Sequence, residues 1–145
     1  MKPKIAGREE KAKLRINITP ENEIEGEVRD VNLANLKLDH NNVRFRHLET
    51  QLTDSSMEEL ISRESTTRTL LREIEFSNGI YNSLIIDSNY VVREGNRRLV
   101  CLRKLSKMIR DGGSEIPLWK IETVQCIVLP KETSEKQIAL FLTLE

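Results

Sequence analysis

The feature that most constrains this chain is residues 90–105, YVVREGNRRLVCLRKL, where strand-like spacing gives way to helical spacing. Tyr90, Val91 and Val92 are β-formers and predict the end of a strand. Beyond Arg97 the apolar residues recur at the spacing of one helix face. Any fold of this chain must therefore place a tight turn between a strand and a helix.

The turn itself, Glu94-Gly95-Asn96 followed by Arg97 and Arg98, suits an anion. Glycine lets backbone approach a ligand closely, and a helix N-terminus offers unpaired N–H groups. Two arginines in the first turn oppose the helix dipole, which is explained if a polyanion binds between them. A plain β-turn-α junction with two solvated arginines fits the same residues, and the local sequence leaves both interpretations open.

Composition excludes several classes of protein. The chain has 145 residues, enough for one domain, and its 23 basic and 23 acidic residues give a net charge of zero, which argues against a protein that coats nucleic acid. No apolar run approaches the ~18 residues of a membrane span, and the first residues lack the apolar core of a secretory signal. Cys101 and Cys126 show neither CxxC nor metal-ligand spacing. They predict reduced, buried thiols in a cytoplasmic protein without a membrane partner.

Residues 1–30 differ from the rest, with seven basic and seven acidic residues and few large apolar ones. This composition predicts a flexible N-terminal arm containing a short strand at 13–18. The folded domain is expected over 31–145. The chain stops at Glu145 in the middle of a predicted helix, which indicates a domain cut from a longer protein.

Within that domain the periodicity predicts alternating strands and helices. The expected elements are a strand at 34–39, helices at 56–63 and 67–77, a strand at 84–86, a hairpin through Asp87-Ser88-Asn89 to 90–93, a helix from Arg97 that ends at Asp111-Gly112-Gly113, a strand at 124–128 and a last helix after Ser134. Capping boxes are predicted at Ser55/Glu58 and at Ser134/Gln137, and Gly79 is the expected C′ residue of the second helix.

Two further groups of basic residues are candidate contacts for phosphate. Arg44 and Arg46 flank Phe45 in a polar loop, and residues two apart in an extended segment point the same way. The planar fork of arginine suits phosphate, although two surface arginines in a loop would look the same.

The other group lies on the helix after Gly95. Its Arg103, Lys107 and Arg110 share a face by their spacing of four and three and are candidate contacts for a DNA backbone. Lys107 and Arg110 are also explained without a ligand, because cations favour a helix C-terminus.

The order of elements resembles the N-terminal domain of the ParB and sulfiredoxin superfamily over about residues 33–145. The motif VVREGNRRLVCLRKL carries the resemblance, with the lead-in LLREIEFSNGIYNSLIID before it and the strand TVQCIVL after it. The resemblance implies an α+β fold, a single ParB/sulfiredoxin-like domain with a small mixed sheet flanked by helices.

The resemblance also implies a nucleotide site, for CTP with Mg²⁺ in ParB-like proteins and for an adenine nucleotide in sulfiredoxin and a serine-kinase branch. The implied phosphate-binding residues are Gly95, Asn96, Arg97 and Arg98, with Arg44 and Arg46 in the family's arginine position and Glu145 at the start of its magnesium-binding glutamate-asparagine motif. The chain departs from the family at Asn96, where sulfiredoxin has cysteine and partition proteins usually have glutamate. Thiol chemistry is therefore not expected.

Three functions remain open at this point. The first is a nucleotide-binding (CTP or ATP) domain of a DNA-binding partition or transcription-regulatory protein, with sequence readout beyond Glu145 and a homodimer as a further expectation. The second is an enzyme on the same scaffold, a phosphotransferase, NTPase or nuclease, for which Glu94, Asp87 and Glu145 are the candidate acids. The third is a protein-interaction module whose nucleotide site has decayed.

Overall fold

Five strands form one mixed sheet in the order β1-β2-β5-β3-β4, with helices on both of its faces. The computed structural model describes residues 12–19, 22–40, 53–77 and 83–143. The strands are β1 (Ala12–Thr19), β2 (Asn22–Asn32), β3 (Leu84–Ile86), β4 (Val92–Glu94) and β5 (Thr123–Val128). The helices are α1 (Asp54–Arg63), α2 (Ser65–Ser77), α3 (Asn96–Arg110), α4 (Trp119–Glu122) and α5 (Glu135–Thr143). The predicted α+β class, a small mixed sheet flanked by helices, is confirmed.

The centre of the sheet is the parallel pair β3 and β5, in which Leu84 lies opposite Cys126. All other strand pairs are antiparallel. All three residues of β3 are buried, as expected for an apolar strand covered on both faces. In β5 alternate residues are buried, which matches its period of two.

The sequence-based boundary near Val31 does not exist in the structure, because β2 runs across it and pairs with β5 as well as β1. Residues 22–30 therefore belong to the sheet and not to an arm. Their glutamates alternate with residues of the opposite face, and Ile24 and Gly26 are buried. Because the segment has many charged residues, its alternation of inward and outward residues was not recognised as that of a strand. The strand predicted at 13–18 lies within β1 and is confirmed.

A strained turn joins β3 to β4. The Asp87 carboxylate accepts hydrogen bonds from the N–H groups of Asn89 (2.8 Å) and Val91 (3.0 Å), and Tyr90 adopts a positive φ of 67°. This is the left-handed position of a three-residue hairpin loop, where glycine or asparagine is usual. The Tyr90 ring packs on the main core, and its hydroxyl accepts a hydrogen bond from Arg29 of β2 (3.2 Å). These two contacts hold tyrosine in a conformation that it otherwise avoids.

The strand predicted at 34–39 is largely replaced by other structure. A 3-10 helix spans Leu33–Asn35, capped by the Asn32 side chain, which accepts from the Ala34 N–H (2.9 Å). Only Lys37 forms a bridge, to Val91. The alternating Leu36 and Leu38 are nevertheless buried as the pattern predicted, because both belong to the main core.

The main core lies between one sheet face and helices α1 to α3. Helix α3 contributes five fully buried apolar side chains, those of Leu99, Val100, Cys101, Leu102 and Leu105. A smaller cluster on the other face joins Ile24, Ile85, Leu129 and Ile138. Because neighbouring strand residues point to opposite faces, Ile85 reaches the small cluster while Leu84 and Ile86 reach the main one.

Helix ends follow the predicted chemistry with one correction. The Ser134/Gln137 capping box is confirmed, since Gln137 N–H donates to Ser134 Oγ (3.1 Å) and Ser134 N–H donates to Gln137 Oε1 (2.9 Å). Helix α1 is capped by Thr53, whose hydroxyl accepts from Ser56 N–H, and not by Ser55. The earlier start adds two residues, Asp54 and Ser55, to the helix and keeps the same type of cap.

The C-terminal end of α3 is at Arg110, and Gly112 beyond it has φ 82°, in agreement with the prediction. Gly79 lies outside the described residues. Within the part of the chain that the structure describes, no helix is long and apolar enough to cross a bilayer.

Candidate functional site

The candidate site is the N-terminus of α3, where Gly95 connects β4 to the helix. Gly95 has φ 106°, and a Cβ on it would lie 2.5 Å from Cδ2 of Leu84. Both the backbone conformation and the close approach of β3 therefore require glycine. The first helical bond runs from Leu99 N–H to Gly95 O (2.9 Å), and no side chain caps this end of the helix. The amide groups of the first turn thus meet the description of an anion-binding helix terminus.

Asn96 is a structural residue in this arrangement. It is only 6% exposed; its Nδ2 donates to Val92 O (2.8 Å), and its Oδ1 accepts from Asp39 N–H (3.0 Å). The side chain predicted to hold phosphate is therefore directed into the protein, where it ties the segment before residue 40 to β4. Its backbone N–H remains part of the first helical turn.

Arg97 leans towards the junction of α1 and α2. Its Nε and Nη2 donate to the same oxygen of Glu64, at 3.1 and 2.9 Å. Both side chains are about one-third exposed, so solvent reaches the pair.

Arg98 points in a different direction, towards the start of β3. It is bonded to the Glu94 carboxylate and also donates to Ser83 O (3.3 Å). The side chain is 16% exposed. The two adjacent arginines therefore lie at one helix end but contact different partners, as expected for residues about 100° apart around a helix.

Sequence reasoning missed Arg93 as an organising residue. Its guanidinium contacts three carboxylates, those of Asp39 (3.0 Å), Asp87 (3.5 Å) and Glu135. The hydrogen bond with Glu135 and the charge of Asp39 raise the pKa of Arg93, against burial, which lowers it. Arg93 thus joins the segment that ends at residue 40, the hairpin turn and α5. No sequence pattern signals this, because its three partners are far apart in the chain.

The structure describes two of the three candidate acids. Glu94 is held by Arg98, and Asp87 caps the hairpin turn and contacts Arg93. Glu145 lies outside the described residues. Among those that are described, no cluster of three or more His, Cys, Asp or Glu residues could hold a metal ion.

Arg44 and Arg46 also lie outside the described residues. The described segment before them ends at residue 40, and its Asp39 N–H donates to Asn96 Oδ1 at the start of α3 (3.0 Å).

The predicted basic face of α3 divides into two parts. Arg103 is engaged by other parts of the protein: its guanidinium donates to Asp54 (3.2 Å), Glu58 (2.8 Å) and the Leu36 carbonyl (3.0 Å). Lys107 and Arg110 are exposed, and no ion pair links either of them to another described residue. Exposed Lys104 lies beside them. The surface available to a polyanion is therefore shifted towards the C-terminal half of the helix.

Both cysteines are buried, as predicted. Burial raises the pKa of Cys101 to about 11 and that of Cys126 to about 12. Thiolates are therefore scarce at neutral pH.

A cavity of about 650 Å³ lies apart from these residues. It is lined by β2, the hairpin turn and the segment that leads into α5, including Gly26, Arg29, Ser88, Pro130 and Gln137. None of the predicted phosphate- or DNA-contacting residues that the structure describes lines it.

The order of strands and the glycine junction define an α+β domain with one mixed sheet. A solved structure described as the C2221 form of a Pnob8-like ParB-N domain superposes with a TM-score of 0.50 over 86% of this chain, at 17% sequence identity. The match covers 39% of the length of that chain. No family model matches the sequence. No curated protein matches it either. At this identity the likeness is one of fold, and the chain has a ParB-like fold.

Proposed function

We propose that this chain is the nucleotide-binding domain of a ParB-like protein that acts on DNA in partition or transcriptional regulation. The ligand would be CTP or ATP with Mg²⁺. The observation that carries the proposal is the uncapped N-terminus of α3, entered through a glycine that admits no side chain and flanked by two arginines. Such a terminus offers backbone donors, and the arginines offer forked charged donors, to the same polyphosphate.

The supporting geometry lies around this helix end. The Asn96 Oδ1 atom accepts a hydrogen bond from the Asp39 N–H, which holds the segment that ends at residue 40 beside the start of α3. Arg44 and Arg46 would add further charged donors for the phosphates. Glu145, at the far end of the segment that begins with α5, would supply an oxygen ligand to Mg²⁺. The fit of the described residues to a phosphate rests on backbone amides, Arg97 and Arg98, since the Asn96 side chain has other partners.

Thermal-shift titration with CTP, ATP and GTP, each with Mg²⁺, tests the proposal. At saturation about 100-fold above the dissociation constant, binding should stabilise the fold by about 2.7 kcal/mol, a rise of several degrees in Tm. Arg97→Ala and Arg98→Ala should remove this rise. Arg63→Ala is the matched control, because Arg63 forms an exposed ion pair elsewhere on α1. Absence of any shift with every nucleotide would overturn the proposal.

The enzyme alternative finds less support. Glu94 and Asp87, the two described candidate acids, each already form an ion pair with an arginine, which does not favour either of them as a general base. Phosphate release from a nucleotide, or nicking of DNA, that is lost in Glu94→Gln would reverse this preference.

A further inference from the structure

The two arginines of the candidate site are already engaged by carboxylates of the same chain. Arg97 donates twice to Glu64, and Arg98 is bonded to Glu94. A carboxylate presents oxygens to a guanidinium fork much as a phosphate does. Any phosphate that binds these arginines must therefore replace an internal anion.

The two ion pairs are separated in space. Glu64 lies between α1 and α2, whereas Glu94 ends β4, next to the Ser83 carbonyl that Arg98 also contacts. A single phosphate group cannot replace both carboxylates, because the arginines diverge from the helix end. A chain of two or three phosphates can give each arginine its own group.

We propose that Glu64 and Glu94 are internal competitors that make this site selective for ligands with two or more phosphate groups. The inference rests on the proposed nucleotide function and assigns its ligand to the di- and triphosphate class. The carboxylates hold the arginines in the empty protein, so that weak monoanions do not fill the site. Each carboxylate lowers the affinity of the polyphosphate by the strength of one partly exposed ion pair.

The magnitude follows from the exposure of the pairs. A partly exposed ion pair is worth up to about 1 kcal/mol, which is roughly a fivefold change in an equilibrium constant. Glu64→Gln and Glu94→Gln should each tighten tripolyphosphate about fivefold. If the arginines bind separate phosphate groups, the two effects are independent, and the affinity of the double variant for tripolyphosphate should rise roughly 25-fold. Orthophosphate, which engages one arginine at a time, should gain about fivefold and no more in the double variant.

The test is calorimetric titration of the full chain with sodium tripolyphosphate and with orthophosphate, for the wild type, both single variants and the double variant. Glu59→Gln on α1 is the control, because its ion pair with Arg63 is exposed and lies away from α3. The Glu64 backbone carbonyl accepts the N–H groups of Thr67 and Arg68, and these bonds survive the change to Gln. Adding Arg97→Ala to Glu64→Gln should abolish the gain, which separates competition from a general loosening of the fold.

The outcomes distinguish the two proposals. A wild type that binds CTP or ATP while the Gln variants bind tripolyphosphate no tighter overturns the competitor role and leaves nucleotide binding intact. If the double variant gains as much affinity for orthophosphate as for tripolyphosphate, the proposed selectivity for two or more phosphate groups is overturned. No binding of tripolyphosphate, CTP or ATP to any variant overturns the proposed function, and the inference with it.

Discussion

At the scale of single residues, four consecutive positions of one motif have four different roles. Gly95 gives the backbone conformation, Asn96 ties two segments together inside the protein, and Arg97 and Arg98 contact different carboxylates at the helix end. The motif Gly95–Arg98, predicted to bind phosphate as a unit, thus contains one residue, Asn96, whose side chain is hydrogen-bonded inside the protein. Asn96 has this role because its side of the helix faces the protein.

Gly95→Ala should be strongly destabilising. Alanine at φ 106° costs about 1–2 kcal/mol, and the overlap of its Cβ with Leu84 adds about 1–3 kcal/mol. Urea unfolding should therefore show a loss of about 2–5 kcal/mol. Gly112→Ala is the matched control, because Gly112 also has a positive φ of 82° but its Cβ would meet nothing within 4 Å. Equal losses in the two variants would show that the contact with Leu84 is relieved easily.

At the scale of elements, α3 and the strand before it show how charge is distributed. Between Arg93 and Arg110 the sequence has seven basic residues and one acid, which reads as a single positive surface. In the structure four of these residues contact carboxylates: Arg93, Arg97, Arg98 and Arg103. The basic residues left facing solvent are Lys104, Lys107 and Arg110, at the opposite end of the helix from the candidate nucleotide site.

If this surface binds DNA, the contact should be electrostatic and independent of sequence. Lys107→Glu with Arg110→Glu should weaken binding to a random duplex and reduce the slope of log K against log salt by about 2, one for each lost phosphate contact. Fluorescence anisotropy at several salt concentrations measures this. Lys131→Glu with Lys136→Glu changes the net charge equally on exposed residues near α5 and should leave the slope unchanged. A similar loss of DNA affinity in both double variants would show that the net charge of the protein, and not this surface, determines binding.

At the scale of the whole molecule, the N-terminal part of the chain completes the sheet. β2 lies between β1 and β5, and its Ile24 is 5% exposed in the small cluster with Ile85, Leu129 and Ile138. This cluster holds α5 against the sheet. The helix that leads to Glu145 is therefore positioned partly by residues that composition alone assigned to an arm.

Ile24→Ala tests whether residues 22–30 belong to the folded sheet or form a flexible arm. A buried isoleucine truncated to alanine should lower the free energy of unfolding by about 2–5 kcal/mol, whereas in an arm the change would have almost no effect. Urea denaturation monitored by circular dichroism gives the value. Asp30→Ala, at an exposed position of the same strand, should change stability by no more than about 0.5 kcal/mol.

The sequence by itself determined the local elements of this protein. Periodicity, turn residues and capping chemistry located β3, the hairpin, α3 and the Ser134/Gln137 cap, because each depends on neighbours within a few residues. The glycine at the strand–helix junction was also evident from its position. What the tertiary structure decided is which side chains meet: Asn96 with Asp39, Arg97 with Glu64, and Arg93 with Glu135. These partners are 33 to 57 residues apart in the chain, so only the packing of the sheet and helices brings them together.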